Sequence, residues 1–553
     1  MKEIHGNVVD IDSRSFFEGV VYVEDDHISR IEHIGPRKAE LPYILPGFID
    51  AHIHIESSML MPRAFARMAV RQGCVGVVAD PHEIANVLGV SGIEFMLEDS
   101  SKVNFHVCMM APSCVPATNF ETSGANLDAS ILAQLLERDD IYGLGEMMNY
   151  PGVIFSDPSV MAKLDVARKS GKPVDGHAPG LRGEDAKRYV SSGISSDHEC
   201  TTLEEANERT KMGQYVLVRE GSSAKNFEQL WSLVDRHPNH TMFCSDDKHP
   251  DDLLLGHINK LVSRAIMYGA SFWNSLIAAC VNPVRHYNMP IGCLRDGSQA
   301  DFIVVHDISS MDVEATYIKG KCVYQKIDGK DCYPELYIDN TPYEVLPNRF
   351  DATPLRIEQI QQRTENGNMR VIGVRDGDLY TCELLEEPKV DEDGFVVSDT
   401  SRDILKMVVV NRYSPGKVSV GFIKGFKLKG GAIASTIAHD SHNLIAVGTN
   451  DDDILTAINH LIEVKGGIDV CYNGQLLDLD LPVAGLMSDK SGEEVAARYS
   501  ELCQFLRDKG CPLHAPFMTL SFMSLLVIPQ LKLGDRGLFD SQNFRFVNLF
   551  ADK

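Results

Sequence analysis

The sequence predicts an α/β protein built on a (β/α)8 barrel of the TIM type, with a small β-sandwich and a C-terminal α/β domain around it. Three observations predict it. From about Pro46 to about Met289, apolar β-prone runs alternate with amphipathic helical stretches, a pattern that calls for parallel strands joined by crossover helices. His52, His54, His82, Glu146, His177, His198 and Asp246 all fall where a predicted strand ends, on the face where such barrels carry their reactive groups. Histidines kept for packing would fall anywhere along the elements, helices included. Finally, β-rich stretches flank this middle on both sides.

The leading flank, IHGNVVDI then GVVYVEDDHISRIEHI, reads as short strands joined by Asp- and Gly-containing turns. A related texture returns in IGCLRDGSQADFIVVHD and VEATYIKGKCVYQ. Residues 1–45 and 290–348 are therefore expected to close one β-sandwich over an inserted barrel of residues 46–289. The barrel opens with LPGFIDAHIHIES, whose His52 and His54 lie two apart on a strand and so share a face. MPRAFARMAVRQG follows as a helix with Phe65, Met68 and Ala69 on one side and Gly73 as its stop. CVGVVAD leads into Asp80-Pro81-His82-Glu83, IYGLGEMMNYPG ends near Glu146, and KPVDGHAPG finishes at His177. The next units end at His198, at Arg219-Glu220-Gly221 and at Asp246-Asp247.

Beyond Arg349 the texture changes, and residues 349–553 form a separate α/β domain of ordinary size. DATPLRIEQIQQRTENGN reads as linker-like or helical, EEPKVDEDGFVVSDTSRD as an acidic loop, and MRVIGVRD, LKMVVVNRY and HNLIAVGTN as strands. Asp451, Asp452 and Asp453 open a helix, DILTAINHLIEVKGG. His439, Asp440, His442 and Asn443 fit a polar turn better than a lid over the barrel.

A net charge of -25 repels nucleic acid and anionic membranes, so neither is expected as a partner. No apolar run is long enough to span a bilayer, and the chain opens as a strand rather than a secretory leader. The 13 cysteines are scattered without a CxxC pair, which fits free thiols in the cytoplasm.

Four histidines and two carboxylates from separate strands make a nitrogen and oxygen donor set without thiolate. Such a set suits manganese, ferrous iron or zinc and does not choose among them. Six ligands are enough for two ions bridged by a carboxylate. Metal binding lowers the pKa of water from about 16 to about 7, worth roughly 12 kcal/mol in deprotonation. A carboxylate beside it, Asp246 or its neighbour Asp247, can take that proton and pass it on. The residues thus point to metal-assisted hydrolysis of a C–N or similar bond.

PGFIDAHIHIES resembles the signature of the amidohydrolase superfamily. DPHEIANVLG, GLGEMMNYPGV, DGHAPGL, SSDHECTT, REGSSAKN, SDDKHPDDLL with GHI, and the late HDSHNLIAVGTND together resemble its adenine deaminase family over nearly the whole length. The resemblance implies a binuclear centre of manganese or iron, hydrolysis of adenine to hypoxanthine and ammonia, and a homo-oligomer with a small purine base as its partner. It implies that His52, His54 and Asp246 hold one ion, that His177 and His198 hold the other, and that Glu146 bridges them. His82 would sit beside the substrate, and Asp246 would accept a proton as hydroxide attacks C6. Glu146, Glu83 and Glu199 stay open as the acid for N1, and Glu83, Arg219, Glu220, Ser223 and Asn226 are expected to line the purine pocket, with a salt-bridged loop at Arg219 to Asn226 the equal alternative. A sister activity on an N6-substituted adenine or a cyclic amide is the alternative, and a scaffold without catalysis the more distant one. The cytidine-type set of His and Cys ligands, with its PCxxC pattern, is absent.

Overall fold

The computed structural model describes residues 1–551. The leading flank supplies β1 (Lys2–Asp10), β2 (Ser15–Glu24), β3 (His27–Pro36) and β4 (Tyr43–Pro46). The middle supplies β5 (Phe48–Ile53), β6 (Cys74–Ala79), β7 (His106–Ala111), β8 (Ile141–Met147), β9 (Val174–Gly176), β10 (Ser196–Asp197), β11 (Tyr215–Arg219) and β12 (Thr241–Cys244). The trailing flank adds β13 (Phe302–Val305), β14 (Val313–Ile318), β15 (Lys321–Ile327) and β16 (Lys330–Cys332).

Both flanks join in a single sheet ordered β16-β15-β14-β13-β4-β1-β2-β3. The expected two-sheet sandwich is thus one continuous hydrogen-bonded sheet, folded over Val8, Val21, Ile28, Ile44 and Phe302. The junction is β4, which pairs with β1 on one side and with β13 on the other.

In the middle, β5 to β9 form one curled parallel sheet and β10 to β12 a second. Every residue of β5 and β6 is buried, as parallel strands covered on both faces must be. Ser195 N–H donates to Val174 C=O at 2.8 Å between the two sheets. At the other edge Asp246 N–H donates to His52 C=O (3.0 Å), and His54 N–H donates back to Asp246 C=O (3.3 Å). The helix Pro62–Arg71 begins on its proline and buries Phe65, Met68 and Ala69, and Gly73 follows with a positive φ of 76°.

The rest of the chain builds a second eight-stranded sheet, with a helix Asp451–Val464 capped by the Asn450 side chain. The stretch after Arg349 is neither helical nor a free linker. It holds only a short turn, Ile357–Gln359, and buries Leu355 and Ile360 on this second core. A long helix, Gly492–Asp508, was not anticipated, although Ser491 and Glu494 form the reciprocal capping box that announces one. Two further strands, Leu531–Gly534 and Gly537–Asp540, pair antiparallel. All 13 cysteines are unbridged, and no helix among the described residues is long and apolar enough to cross a membrane.

Lys532 lies fully buried, its ammonium donating to the carbonyls of Leu379 and Phe522 at 3.0 Å each. Burial pushes its pKa down to about 7, against a small opposing pull from Asp378. The unfolded chain binds this proton up to about pH 10, so the term disfavours folding near pH 7 and fades as pH rises. A Lys532→Met variant should therefore exceed the parent in denaturant midpoint at pH 7, and that lead should shrink by pH 10.

Candidate active site

The strand ends bring eight ionisable side chains to one point. His52 is the penultimate residue of β5 and His54 follows its end, with ring centroids 4.8 Å apart. His54 Nδ1 faces the Asp80 carbonyl at 2.9 Å. That contact makes Nδ1 the donor and leaves Nε2 free to face Glu146 Oε1 (3.5 Å) and Asp246 Oδ1 (3.2 Å). Asp246 Oδ1 also lies 3.6 Å from His52 Nε2.

Glu146, on β8, is the hub. Its carboxylate lies 2.9 Å from His177 Nδ1, 3.1 Å from His198 Nε2 and 3.4 Å from His82 Nδ1. Burial would raise its pKa, but His177 and His198 outweigh that and hold it well below the usual range. The same balance acts in reverse on His177: burial lowers its pKa, and Glu199 and Glu146 raise it to about 9.

Structural bonds fix these groups in place. Asp80 accepts from Glu146 N–H at 2.9 Å, and Asp197 accepts from Ala178 and Glu199 N–H at 3.1 and 2.9 Å. The Tyr189 hydroxyl accepts from His177 N–H (3.0 Å) while donating to Met147 C=O (2.7 Å). Asp50, two residues before His52 on β5, accepts from Ser245 N–H (3.0 Å) and lies 2.7 Å from His257 Nε2. It thereby ties β5 to the end of β12. Asp246 itself adopts a left-handed backbone (φ 59°), a conformation that costs on the order of 1 kcal/mol and is anchored by its two bonds to β5.

Both ring nitrogens of His52 and Nε2 of His177 are buried without a hydrogen-bond partner. Unpaired buried imidazole nitrogens are costly, and a cation meets that need. His52, His54 and Asp246 have ligand atoms within 4.8 Å of one another, as do His52, Glu146 and His198, and His177, His198 and Glu199. The buried donors therefore fit metal ions.

A family model for the adenine deaminase C-terminal domain matches residues 378–545, and one for the amidohydrolase family matches residues 43–323. The chain is 52% identical over 566 residues to an adenine deaminase of Methanosarcina mazei, covering 100% of both. This chain belongs to the adenine deaminase family. It is also 49% identical to the adenine deaminase of Salinibacter ruber, over 99% of each chain. Among solved structures it resembles N-acetyl-D-glucosamine-6-phosphate deacetylase from Mycobacterium smegmatis, with TM-score 0.45 and 13% identity over 58% of this chain and 100% of that one.

Within this adenine deaminase fold the expected purine contacts divide. Glu83 and Arg219 line the cavity over the cluster. Arg219 places Nη1 2.6 Å from Asp246 Oδ2 and also pairs with Glu199. Glu220 does not reach the cavity: Arg264, 2.8 Å away, holds it in a salt-bridged loop. Ser223 opens instead onto a neighbouring cavity with Lys225, Asp376 and His514. Asn226 supports the backbone, accepting from Arg219 N–H (2.7 Å) and donating to the carbonyls of His198 and Cys200. Of the adjacent acids, Asp246 faces the two histidines, while Asp247 accepts from Ser57 Oγ at 2.6 Å.

The polar turn expected at His439 to Asn443 is instead part of the site. His439 Nδ1 lies 2.7 Å from Glu83 Oε1, His442 Nε2 contacts Glu83 Oε2, and Asp440 Oδ1 is 3.9 Å from His82 Nε2. Local sequence could not reveal that Glu83 and His442, 359 positions apart, would meet. Asp80, Asp50 and His257 were likewise missed as supports, though DPHE and GHI carry two of them.

Gly145 abuts Asp80, and a Cβ there would lie 2.2 Å from Asp80 Oδ2. Gly145→Ala should therefore displace the acid that holds Glu146 and His54. A loss of about 1–3 kcal/mol in stability and reduced metal content are expected, read by thermal unfolding and elemental analysis.

Proposed function

We propose that this chain hydrolyses adenine to hypoxanthine and ammonia with the aid of two divalent ions. The observation that carries the reading is the convergence of His52, His54, His177, His198, Glu146 and Asp246, with orphaned imidazole nitrogens, in a chain related to adenine deaminases along its whole length. The eight parallel strands are read as one closed (β/α)8 barrel. The bonds from β12 back to β5 and from β10 toward β9 support that closure.

His52, His54 and Asp246 would hold one ion and His177 and His198 the other, with Glu146 between them. Bound there, manganese, ferrous iron or zinc would make water a nucleophile for C6 near neutral pH. Asp246 accepts the proton of that water and delivers it to the departing amino group. Arg219 fixes Asp246 through Oδ2 and leaves Oδ1 toward the reacting side. His82 stands beside the base, and Glu83 and Glu199 both line the cavity from which ring N1 takes its proton. The enclosing wall keeps bulk water from competing with these transfers.

Manganese-loaded protein given adenine should release ammonia and shift the ultraviolet spectrum to that of hypoxanthine. Turnover of another aminopurine but not adenine would replace the substrate and leave the chemistry, whereas inertness toward all of them would favour a scaffold. Asp246→Asn should lower kcat by about 10²–10⁴-fold, and His54→Ala should lose metal and activity together. Removal of metal by a chelator should abolish turnover, and added manganese should restore it.

A further inference from the structure

The cavity over the cluster has walls of two kinds. Its charged side comes from the strand ends, where Met148 is the one apolar group. The opposite side comes from the C-terminal part of the chain: Leu379, His439, Asp440, Phe522, Leu525 and Ile528. A flat heteroaromatic base needs apolar contact for its faces and a few placed polar groups for its edge. The C-terminal domain therefore supplies the faces, and Asp440 is the acid it contributes to the edge.

Asp440 is 2% exposed, and its Oδ2 has no hydrogen-bond partner. Such an acceptor is costly unless a donor arrives. It stands across the His82 ring from Glu146, with His82 Nδ1 3.4 Å from Glu146 and Nε2 3.9 Å from Asp440. In a base that presents C6 to the cluster, N9 is the five-membered-ring nitrogen farther from the reacting carbon. In a free purine that ring carries an N–H. In a nucleoside the same position carries a sugar and has no N–H to donate.

We propose that Asp440 accepts the five-membered-ring N–H of a free purine base and so selects bases over N9-substituted purines. This assignment rests on the deaminase reading and adds the residue that determines which purines qualify.

The test compares adenine with 9-methyladenine in manganese-loaded full-length protein and in its Asp440→Ala and Asp440→Asn variants. The parent should strongly prefer adenine. Asp440→Ala should lose about ten- to hundredfold in kcat/KM for adenine, mainly through KM, with little change for 9-methyladenine. Asp440→Asn, which keeps a neutral acceptor, should recover part of the preference. Equal losses on both substrates at unchanged metal content, or an unchanged ratio, would overturn the assignment and leave the deaminase reading intact. If the parent deaminates neither, that reading fails. Calorimetric binding of hypoxanthine against 9-methylhypoxanthine then decides the assignment, which stands only if Asp440→Ala erases a preference for the unsubstituted base.

Discussion

The structure depends on keeping one carboxylate ionised where water cannot reach it. Glu146 is 2% exposed, and an isolated charge at such depth costs several kcal/mol. Four imidazoles surround it: His54, His82, His177 and His198 all lie within 3.5 Å of its oxygens. Those imidazoles arrive from three strand ends and from the start of the helix after β6, so the geometry of the parallel strands decides where they meet. Asp80, bonded to Glu146 N–H, and Ser113, donating to its carbonyl at 2.5 Å, keep the hub from shifting.

A second buried acid joins the two halves of the chain. Glu83 lies in the first turn of the helix His82–Leu88, and burial would favour its neutral form. His439, whose own pKa Glu83 raises to about 9 against burial, leads the pull that outweighs burial and holds Glu83 ionised. Burial lowers His442 to about 4 and leaves it a neutral partner. A histidine from the C-terminal domain thus neutralises a charge that the middle of the chain carries, and breaking such a buried pair leaves an uncompensated charge behind. The contact holds the C-terminal domain against the cluster, and its apolar residues line the same cavity.

Much of the catalytic side was legible from local rules. Alternation on a strand makes His52 and His54 neighbours whatever the rest of the chain does. The rule that reactive groups gather at strand C-terminal ends picked out His177, His198, Glu146 and Asp246 from scattered positions. The sequence left open whether Glu220 and Ser223 line the pocket or form a salt-bridged loop, and Glu220 pairs with Arg264 while Ser223 faces a neighbouring cavity. A loop's direction is set by its partners, here Arg264, and those lie far along the chain. At His439 and His442 local pattern favoured a polar turn over a lid, because a short polar stretch between strands looks alike whether it faces solvent or a buried acid.

The sequence by itself determined the donor types, their placement at strand ends and the family, because each depends on near-neighbour periodicity or on motif order. Only the tertiary structure decided which acid faces the histidine pair, which expected contacts turn aside, and that the C-terminal domain completes the cavity. Those outcomes depend on buried charges pairing across hundreds of residues, and such pairings are settled by packing rather than by any local pattern.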